Sequence, residues 1–513
     1  MKRRDVLKLL PALGLPMAFS LHSRAGHAAS SGPVANAKIG MNLAPVTYWS
    51  TEHPFCNLAM SASRWRLQEI NGPFSWDLPL PPSSPDGYPL VVPPGTFLES
   101  FLIFTPFRGH LPEQLTVAYE GQGVIDYLAG GELIRRRQRA DVIRNLRSDA
   151  PIIARLVSTS QKNPLRNIRV DDGSNGQGAL FRPAFLERLT GMSVLRFMDW
   201  MDTNNSKVSR WEQRPRADRY CQTEGGVALE LMVALCNRLS IAPWFTLPHL
   251  ADDDFVRRFA EQVRDTLDPS IPVYVEYSNE VWNALFEQAR YARSEGMRLG
   301  LSSNEYEAGL RYYSERTSQV LSIWENTFGA DNKRVVGVYA AQAVTPWTSE
   351  VVLSWGDAAK HADVLAVAPY FGGAMGDAEH APKTAGWTLD QLFEALAEEV
   401  DGINRDFIRD QAAMAQRFGV RMVAYEGGQH LVGYSGTPHD EKLHGLFAEA
   451  NRDARMGDLY RKHLAHWVEA GGGTYVFFNS MGPCSKWGCW GLLEHEAERT
   501  SPKWQAVREM IGA

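Results

Sequence analysis

The feature that most constrains this chain is an alternation. From residue 190 to the end, short β-branched and aromatic runs take turns with stretches of helical period. "VLRFMDW" (194–200), "APWFTLP" (242–248), "PVYVEYS" (272–278), "RVVGVYA" (334–340), "DVLAVAPY" (363–370), "VRMVAYE" (420–426) and "TYVFFN" (474–479) read as buried strands. Helical patterns separate them, such as "DDFVRRFAEQVRDTL" (253–267), whose acidic start suits the macrodipole. "KIGMNLAP" (38–45) supplies an eighth strand. Eight βα units without a Rossmann glycine fingerprint predict an α/β fold, a closed (β/α)8 TIM barrel rather than an open doubly wound sheet.

Residues 66–185 break this rhythm. "PLPPSSPDGYPLVVPPGT" is followed by short runs with β character: "LTVAYEG" (115–121), "GVIDYLAG" (123–130), "PIIARLVST" (151–159) and "RNIRV" (166–170). That spacing predicts a small all-β domain over 66–185, inserted between barrel strands one and two, with 36–65 and 186–513 forming the barrel. The insert leaves through the first βα loop, which opens on the catalytic face of such barrels.

The first residues, "MKRRDVLKLLPALGLPMAFSLHSRAGHAAS", combine a basic start, an apolar run and small residues. They predict a cleavable export signal over 1–28, too short for a membrane anchor. Arg3-Arg4 followed by Val6-Leu7-Lys8 resembles a twin-arginine signal. The expectation is an exported protein, periplasmic or secreted, without stable membrane insertion. A net charge of −6 argues against a nucleic-acid partner. The five cysteines cannot all pair, but Cys484 and Cys489 in "CSKWGC" can bridge in an oxidising compartment. No Cys/His spacing suggests zinc, so neither a structural metal nor a cofactor is expected. The oligomeric state stays open.

Barrel chemistry sits at the C-terminal ends of the strands. Strand two ends near Arg196 and Asp199-Trp200, strand three at His249, and strand four at Asn279-Glu280. Strand five delivers Gln342, strand six Tyr370 and strand seven Glu426, and strand eight leads to Asn479, Trp487 and Trp490. Glutamates at the ends of strands four and seven are what a retaining glycosidase needs. One carboxyl protonates the glycosidic oxygen, and the other attacks the anomeric carbon from about 5 Å away. The nucleophile must stay ionised, and Arg196 and Tyr370 are placed to help.

"EYSNEVWN" (276–283), "VLRFMDWM" (194–201) and "YEGGQH" (425–430) resemble the clan A glycoside hydrolases. More narrowly they resemble bacterial exported proteins labelled cellulose-binding. The resemblance implies Glu280 as acid/base, Glu426 as nucleophile, Asn279 on the sugar 2-hydroxyl, and Arg196 and Tyr370 holding the nucleophile. It implies an oligo- or polysaccharide substrate. Gly427-Gly428, directly after Glu426, are expected to leave room for a sugar. His249, Gln342, Trp200, Trp282, Trp347, Trp487 and Trp490 are the further expected substrate contacts. Trp49 and Trp244 also fall near strand ends, and two or three of these tryptophans are expected to stack on sugar rings.

Blander readings stand beside these. A Glu after a strand often serves a helix N-terminus. His249 reads equally as a buried, hydrogen-bonded histidine, and any single Trp is more often core than platform. Glu276 reads as a strand neighbour and Glu287 as a solvated helix residue. The expected function is an exported retaining hydrolase of β-linked glycans, endo-acting on a β-glucan type of polysaccharide. The alternatives are a non-catalytic carbohydrate-binding barrel and a transglycosylase.

Overall fold

A computed structural model describes residues 38–107, 110–146, 149–173, 178–434 and 439–512. The expected export segment, 1–28, lies outside the described residues. The strands in chain order are β1 (Ile39–Asn42), β2 (Arg66–Glu69), β3 (Thr96–Ile103), β4 (Gln114–Glu120), β5 (Gly123–Ala129), β6 (Gly131–Arg137), β7 (Ala140–Asn145) and β8 (Ile152–Thr159). They continue with β9 (Arg166–Asp171), β10 (Val194–Arg196), β11 (Ala242–Leu247), β12 (Val273–Tyr277), β13 (Val335–Ala340), β14 (Val364–Val367), β15 (Arg421–Ala424) and β16 (Tyr475–Phe477).

The strands β1 and β10 to β16 close into a parallel barrel in sequence order, so the expected TIM barrel is what the chain forms. Every residue of β11, β12 and β13 is buried, as strands covered by helices outside and side chains inside require. Register lines up the polar interior: Asn42 pairs with Arg196, Arg196 with Trp244, and Thr246 with Glu276. Gly40 lets β1 sit between its neighbours, because a Cβ there would lie 2.9 Å from both the Val194 carbonyl oxygen and Val476 Cγ2.

Some elements are shorter than their patterns predict. Strand two ends at Arg196, because Met201 N–H bonds back to the Phe197 carbonyl and turns the chain. Residues 281–328 read in sequence as one long helical stretch, and they divide into Glu287–Arg298 and Glu305–Phe328. Gly300 is left-handed between them, and Asn304 caps the second helix. Asp453 likewise divides 445–470, which also reads in sequence as one helix, its side chain accepting from Arg455 N–H at the start of a new helix.

Between β1 and β10 lie two antiparallel four-stranded sheets, ordered β2-β3-β8-β5 and β6-β7-β4-β9. Alternation builds them. In β4, Leu115 and Val117 are buried while Gln114 and Thr116 are exposed, and in β9 Ile168 and Val170 point inward. With Leu98, Ile125, Ile143, Ile152 and Leu156 they form a core separate from the barrel's. Leu58, Ala59 and Trp65, ahead of β2, and Tyr220, beyond β10, join this core and tie the insert to the barrel loops. Among the described residues no helix is long and apolar enough to cross a membrane.

Candidate active site

Arg196 is the hub of the C-terminal end of the barrel. It is fully buried, and its guanidinium uses three nitrogens. Nε and Nη2 donate to Glu276 (3.1 and 2.9 Å to Oε2), Nη1 donates to Glu426 Oε1 (2.9 Å) and Asn42 Oδ1 (3.2 Å), and Nη2 also donates to Asn279 Oδ1 (2.7 Å). A buried guanidinium is tolerated only with such pairing. Burial opposes its charge, and Glu276 and Glu426 outweigh that and hold it protonated.

Glu426 lies just past β15. Its Oε2 accepts the Tyr370 hydroxyl at 3.0 Å, and its Oε1 accepts from Arg196. Burial holds this carboxyl above its ordinary value, and Arg196 and then Tyr370 offset part of that rise. Glu280 lies past β12 and is half-buried. It touches no cation: Asn283 Nδ2 donates to Oε2 at 2.8 Å and the Tyr425 hydroxyl to Oε1 at 3.0 Å. Burial, then the Glu426 charge, pushes Glu280 up to about 7. Two glutamates therefore share one site in unlike environments, one beside a cation and one without.

The backbone helps to aim them. Ser278 (φ 63°) and Glu280 (φ 43°) are both left-handed around Asn279. For non-glycine residues that costs about 1–3 kcal/mol each, and it recurs where a site fixes a side chain. Asn279 is buried. Its Oδ1 is taken by Arg196 and its Nδ2 donates to Asn204 Oδ1 (3.0 Å), while Gln288 Nε2 donates to its carbonyl at 2.9 Å. This loop is held by side-chain amides where strand hydrogen bonding has ended.

The other expected residues divide. Trp490 is half-buried at the site, its ring edge-to-face with Tyr370 (5.9 Å), His430 (5.0 Å) and Phe478 (5.8 Å). Its backbone oxygen accepts from Asn479 N–H at 3.0 Å. Trp487 is exposed on the same loop, which the Cys484–Cys489 disulfide closes. Trp282 is half-buried, and its indole N–H has no protein partner. Trp347 is exposed and stacks on Tyr306 at 6.0 Å, and the half-buried Gln342 bonds through its backbone to Thr348 and Gln411. His249 is buried edge-to-face on Tyr291, and burial lowers it to about 4. None of the last four has a hydrogen bond or ring contact to Glu280, Glu426 or Tyr370 among those the structure records. Asp199 is half-buried, pushed up to about 7 by burial and then by the Glu426 charge.

Two expectations are corrected. Trp200 is no platform: it is 1 % exposed, packed against Phe185, Phe55 and Phe197, with its Nε1 donating to the Ala44 carbonyl at 3.0 Å. The chain turns at Phe197, so Trp200 falls back into the core. Gly427 and Gly428 make room for tyrosines. A Cβ on Gly427 would lie 2.0 Å from the Tyr475 hydroxyl, and one on Gly428 2.8 Å from that of Tyr460.

Sequence reasoning also missed residues. Glu276 is fully buried on the hub arginine, and Trp244 Nε1 donates to its Oε2 at 2.8 Å. Asn42, Tyr425, Asn283 and His430 went unremarked. The signal for Glu276 and Tyr425 was present: a charged or hydroxylated side chain inside a strand otherwise buried on both faces needs a buried partner.

No family model matches the chain, and no curated protein does. Similar solved structures include a GH51 arabinofuranosidase from Xanthomonas axonopodis pv. citri, at 12 % identity over 65 % of this chain and 67 % of that one, TM-score 0.42. Another is a GH5-4 broad specificity endoglucanase from Clostridium acetobutylicum (11 %, 66 % and 91 %, TM-score 0.38). A third is a modular endo-beta-1,4-mannanase from Cellulomonas fimi (12 %, 55 % and 56 %, TM-score 0.31). Likeness this remote decides nothing about chemistry.

Proposed function

We propose that this chain is an exported retaining glycoside hydrolase acting on β-linked glycans by double displacement. One observation carries the reading. Glu426 and Glu280 stand past the seventh and fourth barrel strands, the first gripped by Arg196 and Tyr370, the second free of any cation contact. Environments that push two carboxyls apart assign acid and nucleophile.

In the first step ionised Glu426 attacks the anomeric carbon while Glu280 gives its proton to the departing glycosidic oxygen. A glycosyl ester on Glu426 and a free hydroxyl on the leaving sugar result. In the second step Glu280, now a carboxylate, takes a proton from water, whose oxygen displaces Glu426. Arg196 and Tyr370 steady the charge on Glu426 before attack and on its departure. Tyr425 donates to Glu280 and steadies it when it is a carboxylate. Trp490, packed against Tyr370, serves as a sugar platform beside the pair, and Asp199 supplies a further hydroxyl-binding carboxyl. The preferred substrate is a β-glucan type of polysaccharide, cut internally. The disulfide near the site supports the exported reading, because such bonds persist in oxidising compartments.

Digestion of a glycan panel with product analysis tests this, with Glu280→Gln as control. Release of shorter β-glycans by the wild type alone supports it. A folded wild type that binds glycans and cleaves none overturns it.

A further inference from the structure

Away from the two catalytic glutamates, three side chains from distant parts of the chain converge. His53 lies in the loop after β1, His110 in the β3–β4 loop of the insert, and Glu496 in the segment after β16. One ring nitrogen of His53, one of His110 and a Glu496 carboxylate oxygen all lie within 4.8 Å of one another. His53 and Glu496 are buried, and His53 Nδ1, His110 Nε2 and Glu496 Oε2 make no well-formed hydrogen bond.

The tautomer sharpens the picture. His110 Nδ1 lies 2.9 Å from the Phe107 carbonyl, which can only accept, so Nδ1 carries the hydrogen. In the neutral ring Nε2 then presents a lone pair, 2.6 Å from Glu496 Oε2. Two lone-pair atoms so close require a cation between or beside them. His53 Nδ1 faces the same oxygen at 3.6 Å. A proton shared by His110 and Glu496 would satisfy that pair and leave His53 Nδ1 without a partner. One divalent ion satisfies all three.

Charge permits it. Glu496 Oε1 accepts from His53 N–H (3.0 Å) and Arg188 Nη2 (3.1 Å), and Arg182 Nη2 stands 3.8 Å from Oε2. Each arginine has another carboxylate: Arg188 meets Glu52 at 3.2 Å, and Arg182 is paired with Asp172. Three carboxylates against two guanidiniums leave one negative charge facing two imidazoles.

We propose that His53, His110 and Glu496 bind a divalent zinc-class ion that staples the inserted β-domain to the barrel. Two imidazole nitrogens and one carboxylate oxygen are a donor set that suits Zn2+. The His110 Nδ1–H bond to a backbone carbonyl is the outer partner that ligating histidines usually have. Sequence spacing could not show this site, because its ligands come from three separate segments.

The test uses the full chain, stripped with chelator and titrated with ZnCl2 by calorimetry, with bound metal counted by mass spectrometry. The expected result is about one zinc per chain and a melting temperature that rises with zinc. His110→Ala, on an insert loop, should weaken binding by more than the roughly 10–100-fold that loss of an outer partner costs, and abolish the melting shift. Glu496→Gln should do the same. A folded wild type that takes up no zinc overturns the proposal without any variant. So does zinc uptake of unchanged affinity in folded His110→Ala.

Discussion

The Tyr425 hydroxyl donates to Glu280 Oε1 at 3.0 Å, and the residue after Tyr425 is Glu426. One strand end therefore supplies one carboxyl and steadies the other. That hydrogen bond favours ionised Glu280. Tyr425→Phe should raise the Glu280 pKa, move the alkaline limb of the pH–rate profile upward, and lower kcat/KM about 10–100-fold, the worth of a hydrogen bond to a charged group. A pH–rate profile of the variant checks both shifts.

Glu280 also links stability to pH. Its folded pKa, about 7, lies above the usual carboxylate value of 4.5. The folded state therefore favours the protonated form. The stability this contributes is full below about pH 4.5 and is lost as pH rises through about 7. Glu280→Gln, neutral throughout, should melt higher than the wild type at pH 8, with the gap closing at pH 4. Melting curves across pH measure it.

Glu276 should matter to stability as much as to activity. It takes two nitrogens of a fully buried guanidinium. Glu276→Gln leaves that charge half-compensated, and breaking a buried pair costs about 3–5 kcal/mol. Denaturant unfolding should show a loss of that order, with activity falling alongside because Arg196 also orients Glu426.

Two tryptophans separate core from platform. Trp200→Ala should cost about 3–5 kcal/mol of stability through the cavity it leaves. Trp490→Ala should leave melting nearly unchanged and lower kcat/KM about tenfold, through loss of stacking. Melting and kinetics on both variants decide the assignment.

The barrel was legible because its strands are continuous apolar runs, a pattern that survives without knowing their partners. The two glutamates were legible because strand ends are where such a barrel shows polar groups. Trp200 was not, because strand two was read as running to 200 and the chain turns at Phe197. Glu276 was read as a neighbour, because strand alternation does not reveal that an arginine two strands away reaches it. Gly427 and Gly428 signalled close approach correctly, yet not that tyrosine hydroxyls, rather than sugar, fill the space.

The central claim is that Glu426 forms a covalent bond to the sugar while Glu280 handles the proton. Incubation with a panel of 2-deoxy-2-fluoro-β-glycosides carrying good leaving groups, followed by peptide mass spectrometry, tests it most directly. The account predicts a fluoroglycosyl adduct on Glu426, absent in Glu426→Gln and still formed in Glu280→Gln. An adduct on Glu280 or elsewhere, or turnover to products of inverted anomeric configuration, would contradict it.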